Sequence, residues 1–142
     1  MGLPYRYSVS IADGPHPYAR LSSSGVPDLR TAAPTDFNGP GDAWSPEQLL
    51  LAAVEACFVL TFRAVAPAPR LDVTSLSVEA EGTVDRADGR MRFTEIVLRP
   101  HVVVAAGVDP TRLHRALEKA EHACLVSASL GTPVRLELEP TA

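Results

Sequence analysis

Two cysteines carry the most distinctive chemistry in this sequence. They are Cys57 and Cys124, and they stand far apart in a chain of 142 residues. A thiol can act as a nucleophile, a metal ligand or a disulfide partner, but free cysteine is also among the most frequently buried residue types. The small number and the wide spacing exclude a disulfide-dense scaffold and a Cys-x-x-Cys redox or zinc motif. The candidate functional groups are therefore two isolated thiols, which are either packed in a core or reactive.

Other groups of reactive residues give weaker indications. The histidines His101, His114 and His122 lack the ligand spacing of a structural zinc site, so no metal ion is predicted. The glycines at positions 39 and 41 follow no strand and flank a proline, unlike a loop that cradles phosphate. No serine stands in the sequence context of a nucleophile elbow.

Composition and charge exclude several classes of protein. The 13 basic and 17 acidic residues give a net charge of −4 with no basic run, so nucleic acid is not an expected partner. A hydrophobic fraction of 46% in a chain of this length predicts a single globular domain over residues 1–142. The first residues lack an apolar signal core, and the apolar run 49–62, interrupted by Glu55, is expected to be too short to span a membrane. We therefore expect a cytoplasmic protein with no membrane partner and with reduced thiols.

A helix predicted over residues 46–65 positions Cys57. Ser45 and Gln48 have the spacing of a capping box, and Pro67 prevents the helix from continuing. Apolar side chains occur on nearly all sides of this helix, which predicts burial on nearly all sides. We accordingly expect it at the centre of the molecule.

The remaining elements predict an α+β fold with antiparallel sheet. Apolar alternation and turn residues indicate strands over residues 5–12, 18–23, 26–33, 73–86, 91–104 and 133–139. Asp109 caps a second helix, whose apolar stripe ends at Cys124. Because both cysteines lie on apolar stripes that face one core, the two thiols can meet. Neither helix backbone activates its thiol, since Cys57 is far from the helix start and Cys124 is at a helix end, where a thiolate is disfavoured.

Glu47 is the acid nearest to this chemistry along the chain. About ten residues at a rise of ~1.5 Å place it roughly 15 Å along the helix axis from Cys57, on a different face. The two side chains cannot meet within one chain. Glu47 either only complements the helix dipole or serves a Cys57 site in another subunit. Trp44, the single tryptophan, is either a packing anchor or the wall of a pocket.

Both cysteine segments resemble the OsmC/Ohr family of thiol-dependent hydroperoxide reductases, which act in the oxidative stress response. The first is similar to the family's Asn-Pro-Glu-Glu/Gln-Leu…Ala-Cys-Phe helix, through Ser45-Pro46-Glu47-Gln48-Leu49-Leu50, Ala52-Ala53 and Ala56-Cys57-Phe58. The second is similar to its Cys-Pro-x-Ser segment, through residues 120–127, with Leu125 in place of the proline. The resemblance implies an OsmC-like fold, with antiparallel sheets around long central helices, in an intertwined homodimer whose active sites use both chains.

The same resemblance assigns chemical roles. Cys57 would be the peroxidatic thiol and Cys124 the resolving thiol, while Glu47 of the partner subunit would orient a cation. The family's arginine positions fall near His16 and Asp36, neither of which is arginine. The candidates for the cation are Arg20, Arg30 and His16. No bound cofactor is implied, because an external dithiol of the lipoyl type reduces the disulfide.

Two functions follow from these observations. The first is reduction of organic hydroperoxides in an apolar pocket with Trp44, Leu49 and Phe58 as candidate walls. The alternative is a non-peroxidatic OsmC-like dimer that binds a small apolar ligand or senses redox state.

Overall fold

The computed structural model describes residues 2–65 and 72–138. The chain divides into two compact units, Met1–Leu50 and Leu51–Ala142. Within the described residues, helices combine with two three-stranded sheets, which confirms the predicted α+β class. The last residue of the final predicted strand, at position 139, and the proline at position 67 lie outside the described residues.

The first unit contains a small antiparallel sheet. Its strands, in the order β1-β2-β3, are β1 (Ser10–Asp13), β2 (Ala19–Ser22) and β3 (Leu29–Thr31). All three are shorter than the alternation in the sequence predicted. Alternation describes which side chains share a face, whereas a strand also needs a neighbouring backbone. The β1–β2 ladder begins only at Ser10, opposite Ser22.

A loop with a short 3₁₀ turn at Thr35–Phe37 leads to α1, which spans Pro46–Val65 as predicted. The capping box is formed in both directions. The Gln48 N–H donates to Ser45 Oγ at 3.2 Å, and the Ser45 N–H donates to Gln48 Oε1 at 2.9 Å. These two bonds satisfy backbone groups at the helix start that have no partner within the helix.

The chain covers only one side of α1. Its fully buried residues are Val54, Phe58 and Phe62, whereas Leu60 is 62% exposed. The prediction of burial on nearly all sides is therefore wrong for a single chain. The 20-residue helix is also long and apolar enough to cross a membrane, which corrects the expectation that this run is too short. Length and composition alone do not distinguish a membrane span from the central helix of a soluble fold.

The second unit contains a long hairpin. Strand β4 (Val73–Ala87) pairs antiparallel with β5 (Arg90–Val104) around a tight turn. Asp88 and Gly89 have φ values of 53° and 78°, as the two central residues of a type I′ turn require. This is the hairpin that the sequence predicted.

The third strand of this sheet departs from the prediction. Strand β6 (Val134–Leu136) pairs with β5 in parallel, whereas antiparallel sheet was expected. Between β5 and β6 the chain passes through α2 (Pro110–His122) and α3 (Leu125–Ala128). A helical crossover of this length returns the chain to the same end of the sheet, so the next strand runs parallel.

Side chains from α1, β5 and α2 form the hydrophobic core of the second unit. Its buried members are Val54, Phe58, Phe62, Ile96, Leu98, Leu117 and Ala120. The side-chain oxygen of Asp109 accepts a hydrogen bond from the Thr111 N–H at 3.0 Å, which caps α2 as predicted. Because the core fixes the middle of α1 against α2, it also positions the segment that follows α2 beside α1.

Candidate functional site

The two thiols meet within the second unit. Cys57 lies in the middle of α1 and is partly exposed, while Cys124 is only 1% exposed. The two thiol side chains are hydrogen-bonded to each other. Both cysteines are free thiols in the structure. The fold thus brings together two reactive groups that are distant in the sequence.

Cys124 does not lie on α2, in contrast to the sequence prediction. The helix ends at His122, and Cys124 adopts an extended conformation (φ −70°, ψ 113°) as the N-cap of α3. The Cys124 N–H bonds to the Glu121 carbonyl at 3.1 Å, so the chain leaves α2 in a tightened final turn. The apolar spacing of α2 continues through this turn, which explains the error. The neighbour of Cys124 is therefore the first turn of α3.

That first turn provides hydrogen-bond donors to both sulfurs. The N–H groups of Val126 and Leu125 lower the pKa of Cys57, and the hydroxyl and N–H of Ser127 lower the pKa of Cys124. Amides in the first turn of a helix have no acceptor within the helix, so they are free to donate elsewhere. Among the described residues, the buried Ser127 hydroxyl oxygen has no partner that meets hydrogen-bond geometry.

These donors lower the pKa of Cys57. Burial raises the pKa of this thiol, but hydrogen bonds from Cys124, from the two α3 amides and from Thr61 outweigh burial. The Thr61 hydroxyl oxygen lies 3.9 Å from the Cys57 sulfur, one helical turn further along α1. Hydrogen bonds to the charged form favour the thiolate. Within the second unit, the described groups that act on Cys57 are such donors, with no guanidinium or imidazolium among them.

The pKa of Cys124 is shifted in the opposite direction. Burial raises its pKa, and its hydrogen bond with Cys57 raises the pKa further, while Ser127 opposes both effects only in part. Cys124 therefore keeps its proton under conditions in which Cys57 begins to ionise. One nucleophilic sulfur beside one protonated sulfur is an arrangement suited to oxidation at the first and disulfide formation by the second.

Glu47 lies in the first turn of α1, within the first unit. One of its carboxylate oxygens, Oε1, is buried without a hydrogen-bond partner among the described residues. Leaving a buried carboxylate oxygen unpaired is costly, and most such atoms in proteins have a partner.

The three candidate cations also lie in the first unit. Arg30 is held by Asp42, since its Nη2 donates to the Asp42 carbonyl at 3.0 Å and lies 3.8 Å from the carboxylate. Its guanidinium stacks 4.1 Å from the ring centre of Tyr18, whose hydroxyl donates to Asp42 at 2.8 Å. Arg20 and His16 are exposed.

The residues predicted to line a pocket have three different environments. Phe58 is fully buried in the core of the second unit, Leu49 is partly buried and Trp44 is 49% exposed. In residues 2–65 and 72–138, no group of three or more His, Cys, Asp or Glu side chains is arranged to hold a metal ion.

The α3 amides were not identified as donors from the sequence, because nearly every residue has a backbone N–H and its presence carries no sequence signal. Cys124 is the N-cap of α3, but cysteine is not a favoured N-cap residue and its side chain makes no capping hydrogen bond. The sequence therefore predicts neither the start of α3 nor the sulfur that its amides reach.

The chain is similar in sequence to several bacterial proteins. A family model described as OsmC-like protein matches residues 39–139. YmaD of Bacillus subtilis, described as uncharacterized, is 32% identical over 109 residues, which cover 75% of this chain and 73% of YmaD. Peroxiredoxin OsmC of Escherichia coli is 28% identical over 95 residues, 67% of this chain and 66% of its own length. An organic hydroperoxide resistance protein of Xanthomonas axonopodis pv. citri is 28% identical over 106 residues, 73% of this chain and 72% of its own.

Solved structures share the fold. An OsmC-like protein of unknown function from Vibrio cholerae superposes with a TM-score of 0.87 at 21% identity, covering 96% of this chain and 100% of that one. An organic hydroperoxide resistance protein from Elizabethkingia anophelis gives a TM-score of 0.78 at 22% identity, covering 99% and 100%. With the family match over residues 39–139, these similarities show that the chain belongs to the OsmC family and has the OsmC-like fold.

Proposed function

We propose that this protein reduces organic hydroperoxides, with Cys57 as the peroxidatic thiol and Cys124 as the resolving thiol. The observation that carries the proposal is the contact between two thiols whose pKa values are shifted in opposite directions. Relatives named peroxiredoxin and organic hydroperoxide resistance protein support the reaction class at the level of the family.

In the first step the Cys57 thiolate attacks the O–O bond of the hydroperoxide. A sulfur–oxygen bond forms while the O–O bond breaks, and the alkoxide takes up a proton and leaves as the alcohol. Cys57 is thereby oxidised to a sulfenic acid. The lowered pKa of Cys57 supports this role because the thiolate is the nucleophilic form.

In the second step the Cys124 sulfur attacks the sulfenic sulfur of Cys57. The new disulfide forms as the sulfur–oxygen bond breaks, and the hydroxide leaves as water with the proton of the Cys124 thiol. The existing contact between the thiols supports this step, since the sulfurs do not have to travel far. An external dithiol of the lipoyl type then reduces the disulfide, and is itself oxidised to a cyclic disulfide.

We further propose that the protein is a homodimer in the cytoplasm, with neither nucleic acid nor a membrane as partner. A second subunit would cover the apolar side of α1 that one chain leaves exposed, including Leu60. Glu47 of one subunit would then serve the Cys57 site of the other and orient its cation, drawn from Arg20, Arg30 or His16. The unpaired buried oxygen of Glu47 supports this, because it needs a donor.

Loss of the nucleophile tests the reaction. Stopped-flow mixing of the reduced protein with cumene hydroperoxide should show rapid thiol loss in the wild type, and Cys57→Ser should be slower by about 10³-fold or more. Cys124→Ser serves as the matched control because it removes the other thiol and keeps the first step. If Cys57→Ser consumes peroxide as fast as the wild type, the proposal fails. Thiols left unreacted in the wild type, seen by non-reducing mass spectrometry, would favour the ligand-binding alternative.

Subunit mixing tests the shared site. Glu47→Gln and Cys57→Ser are each expected to have little activity as homodimers. In a mixed dimer, one site combines Cys57 from the first variant with Glu47 from the second, so activity should recover toward half of the wild-type value. No recovery, despite confirmed exchange of subunits, would show that Glu47 does not act across the interface.

A further inference from the structure

Thr61 is a polar side chain on α1 whose position relative to Cys57 follows from helix geometry. The two residues are four positions apart, so they lie on one face of the helix, one turn from each other. Side chains on a helix lean toward its N-terminus, which directs the Thr61 side chain back toward the Cys57 sulfur. Both residues are partly exposed, so neither is sealed in the core.

The Thr61 hydroxyl is directed to this sulfur and to no other group in the described part of the chain. A threonine hydroxyl within a helix often bonds instead to a backbone carbonyl three or four residues earlier. That bond would hold the hydroxyl against its own helix. Because it is not formed here, the hydroxyl is available to a group that becomes attached to the sulfur.

The distance between the two side chains suits an intervening oxygen atom better than a direct contact. The Thr61 hydroxyl oxygen lies 3.9 Å from the Cys57 sulfur, at the long limit for a hydrogen bond to sulfur. A sulfur–oxygen bond of about 1.7 Å and an O–H···O hydrogen bond of about 2.8 Å, meeting at an angle of about 120°, together span about 3.9 Å. An oxygen bonded to the Cys57 sulfur can therefore bond to the Thr61 hydroxyl without movement of the helix.

We propose that Thr61 is a further catalytic residue, whose hydroxyl forms a hydrogen bond with the oxygen that Cys57 takes from a hydroperoxide. The inference rests on the proposed function, because only the peroxide step places an oxygen on this sulfur. In that step the transferred oxygen forms a bond to the sulfur as the O–O bond breaks, and the alkoxide takes up a proton and leaves as the alcohol. The hydroxyl can donate to the transferred oxygen or accept from it, since it rotates about its own C–O bond.

This hydrogen bond forms only when an oxygen reaches the sulfur. It therefore stabilises the transition state of the peroxide step more than the free thiolate, which is the condition for a faster reaction. Iodoacetamide, in contrast, brings a carbon atom to the same sulfur, and a carbon atom at that point accepts no hydrogen bond. Reaction with peroxide and reaction with iodoacetamide should consequently respond differently to loss of the hydroxyl.

The two reactions are compared on the reduced, full-length protein. Stopped-flow mixing with cumene hydroperoxide at low concentration gives the rate of the peroxide step, and peptide mass spectrometry gives the rate at which iodoacetamide alkylates Cys57. Thr61→Val keeps the shape of the side chain and removes the hydroxyl. We expect the peroxide rate to fall about tenfold and the alkylation rate to fall less than about twofold. Thr61→Ser is the matched control, which keeps the hydroxyl and should recover most of the peroxide rate.

Three results would overturn the inference. One is a peroxide rate in Thr61→Val equal to that of the wild type. Another is an equal fall in both rates, which would mean that the hydroxyl acts on the thiolate itself. The third is a Thr61→Ser variant as slow as Thr61→Val. If circular dichroism shows that the valine variant does not fold, Thr61→Ala removes the hydroxyl with a stronger helix former, and the same results are decisive there.

The wild-type rate separates this inference from the proposed function. A wild-type protein that does not react with hydroperoxides would contradict the proposed function, and with it the role of Thr61. An active wild type with an unchanged Thr61→Val variant would contradict the role of Thr61 alone.

Discussion

Cys57 and Cys124 are in contact, yet the backbone around each sulfur differs. Cys57 lies in the middle of a 20-residue helix, so its backbone donors come from α3. Cys124 is the N-cap of α3 itself, and it is almost completely buried. Hydrogen bonding outweighs burial at Cys57, whereas burial prevails at Cys124. The difference teaches that the surroundings of two chemically identical groups, through hydrogen bonding and burial, shift their pKa values in opposite directions.

Replacement of Cys124 should cause the largest change, because it removes one of the two thiols. Both Cys124→Ser and Cys124→Ala prevent the disulfide, so turnover with a dithiol reductant should fall by about 100-fold. Cys57 should then accumulate as a sulfenic acid, which a dimedone adduct detected by mass spectrometry would reveal. Undiminished turnover would show that Cys124 does not resolve the intermediate.

The same two variants separate the resolving role of Cys124 from its effect on the pKa of Cys57. Serine at position 124 still offers an O–H to Cys57, while alanine offers no donor, so only Cys124→Ala should raise the pKa of Cys57. Iodoacetamide profiles for the two variants measure this difference. Identical profiles would mean that the Cys124 donor does not set the ionisation of Cys57.

The pH order of alkylation tests the opposite shifts directly. Because the pKa of Cys57 is lowered and that of Cys124 is raised, the Cys57 thiolate forms at lower pH. At neutral pH we expect Cys57 to be alkylated about tenfold faster than Cys124 or more, since burial also limits access to Cys124. In denaturant the two rates should become similar. Faster labelling of Cys124 in the folded protein would contradict the assignment.

Ser127→Ala should have a smaller and more selective effect. Its amide and hydroxyl are the groups that lower the pKa of Cys124, and alanine removes the hydroxyl alone. We expect disulfide formation to slow by about threefold to tenfold, with a smaller change in the peroxide step, as separated by two-phase stopped-flow traces. Ser129→Ala is a matched control, because the Ser129 hydroxyl donates to the Leu125 carbonyl at 2.9 Å and not to a sulfur. An equal slowing in both variants would indicate a general weakening of α3.

Thr61→Val should have the smallest effect on the alkylation of Cys57. It preserves the shape of the side chain but removes a hydroxyl whose oxygen lies 3.9 Å from the Cys57 sulfur. A contact of that length contributes little, so we expect less than about a twofold fall in the alkylation rate of Cys57 at neutral pH. A fall of about tenfold or more would show that the Thr61 hydroxyl is a principal donor to Cys57.

Local interactions made much of the fold predictable. The start of α1 was correct because Ser45 and Gln48 cap the helix from within four residues of sequence. The β4–β5 hairpin was correct because Asp88-Gly89 is suited to the positive φ angles of its turn. The parallel pairing of β6 was missed because it depends on a strand about thirty residues earlier, across a crossover.

The sequence by itself determined which residues could carry redox chemistry and which local elements hold them. Two cysteines, an apolar capped helix and a second capped helix are sufficient for that, since caps and periodicity act over a few residues. Only the tertiary structure decided which thiol becomes the thiolate. The largest lowering effect on the pKa of Cys57 comes from Cys124, followed by the backbone N–H of Val126, and nearly every residue has such an amide. Whether an amide is free, and which sulfur it reaches, depends on where α3 begins relative to the middle of α1.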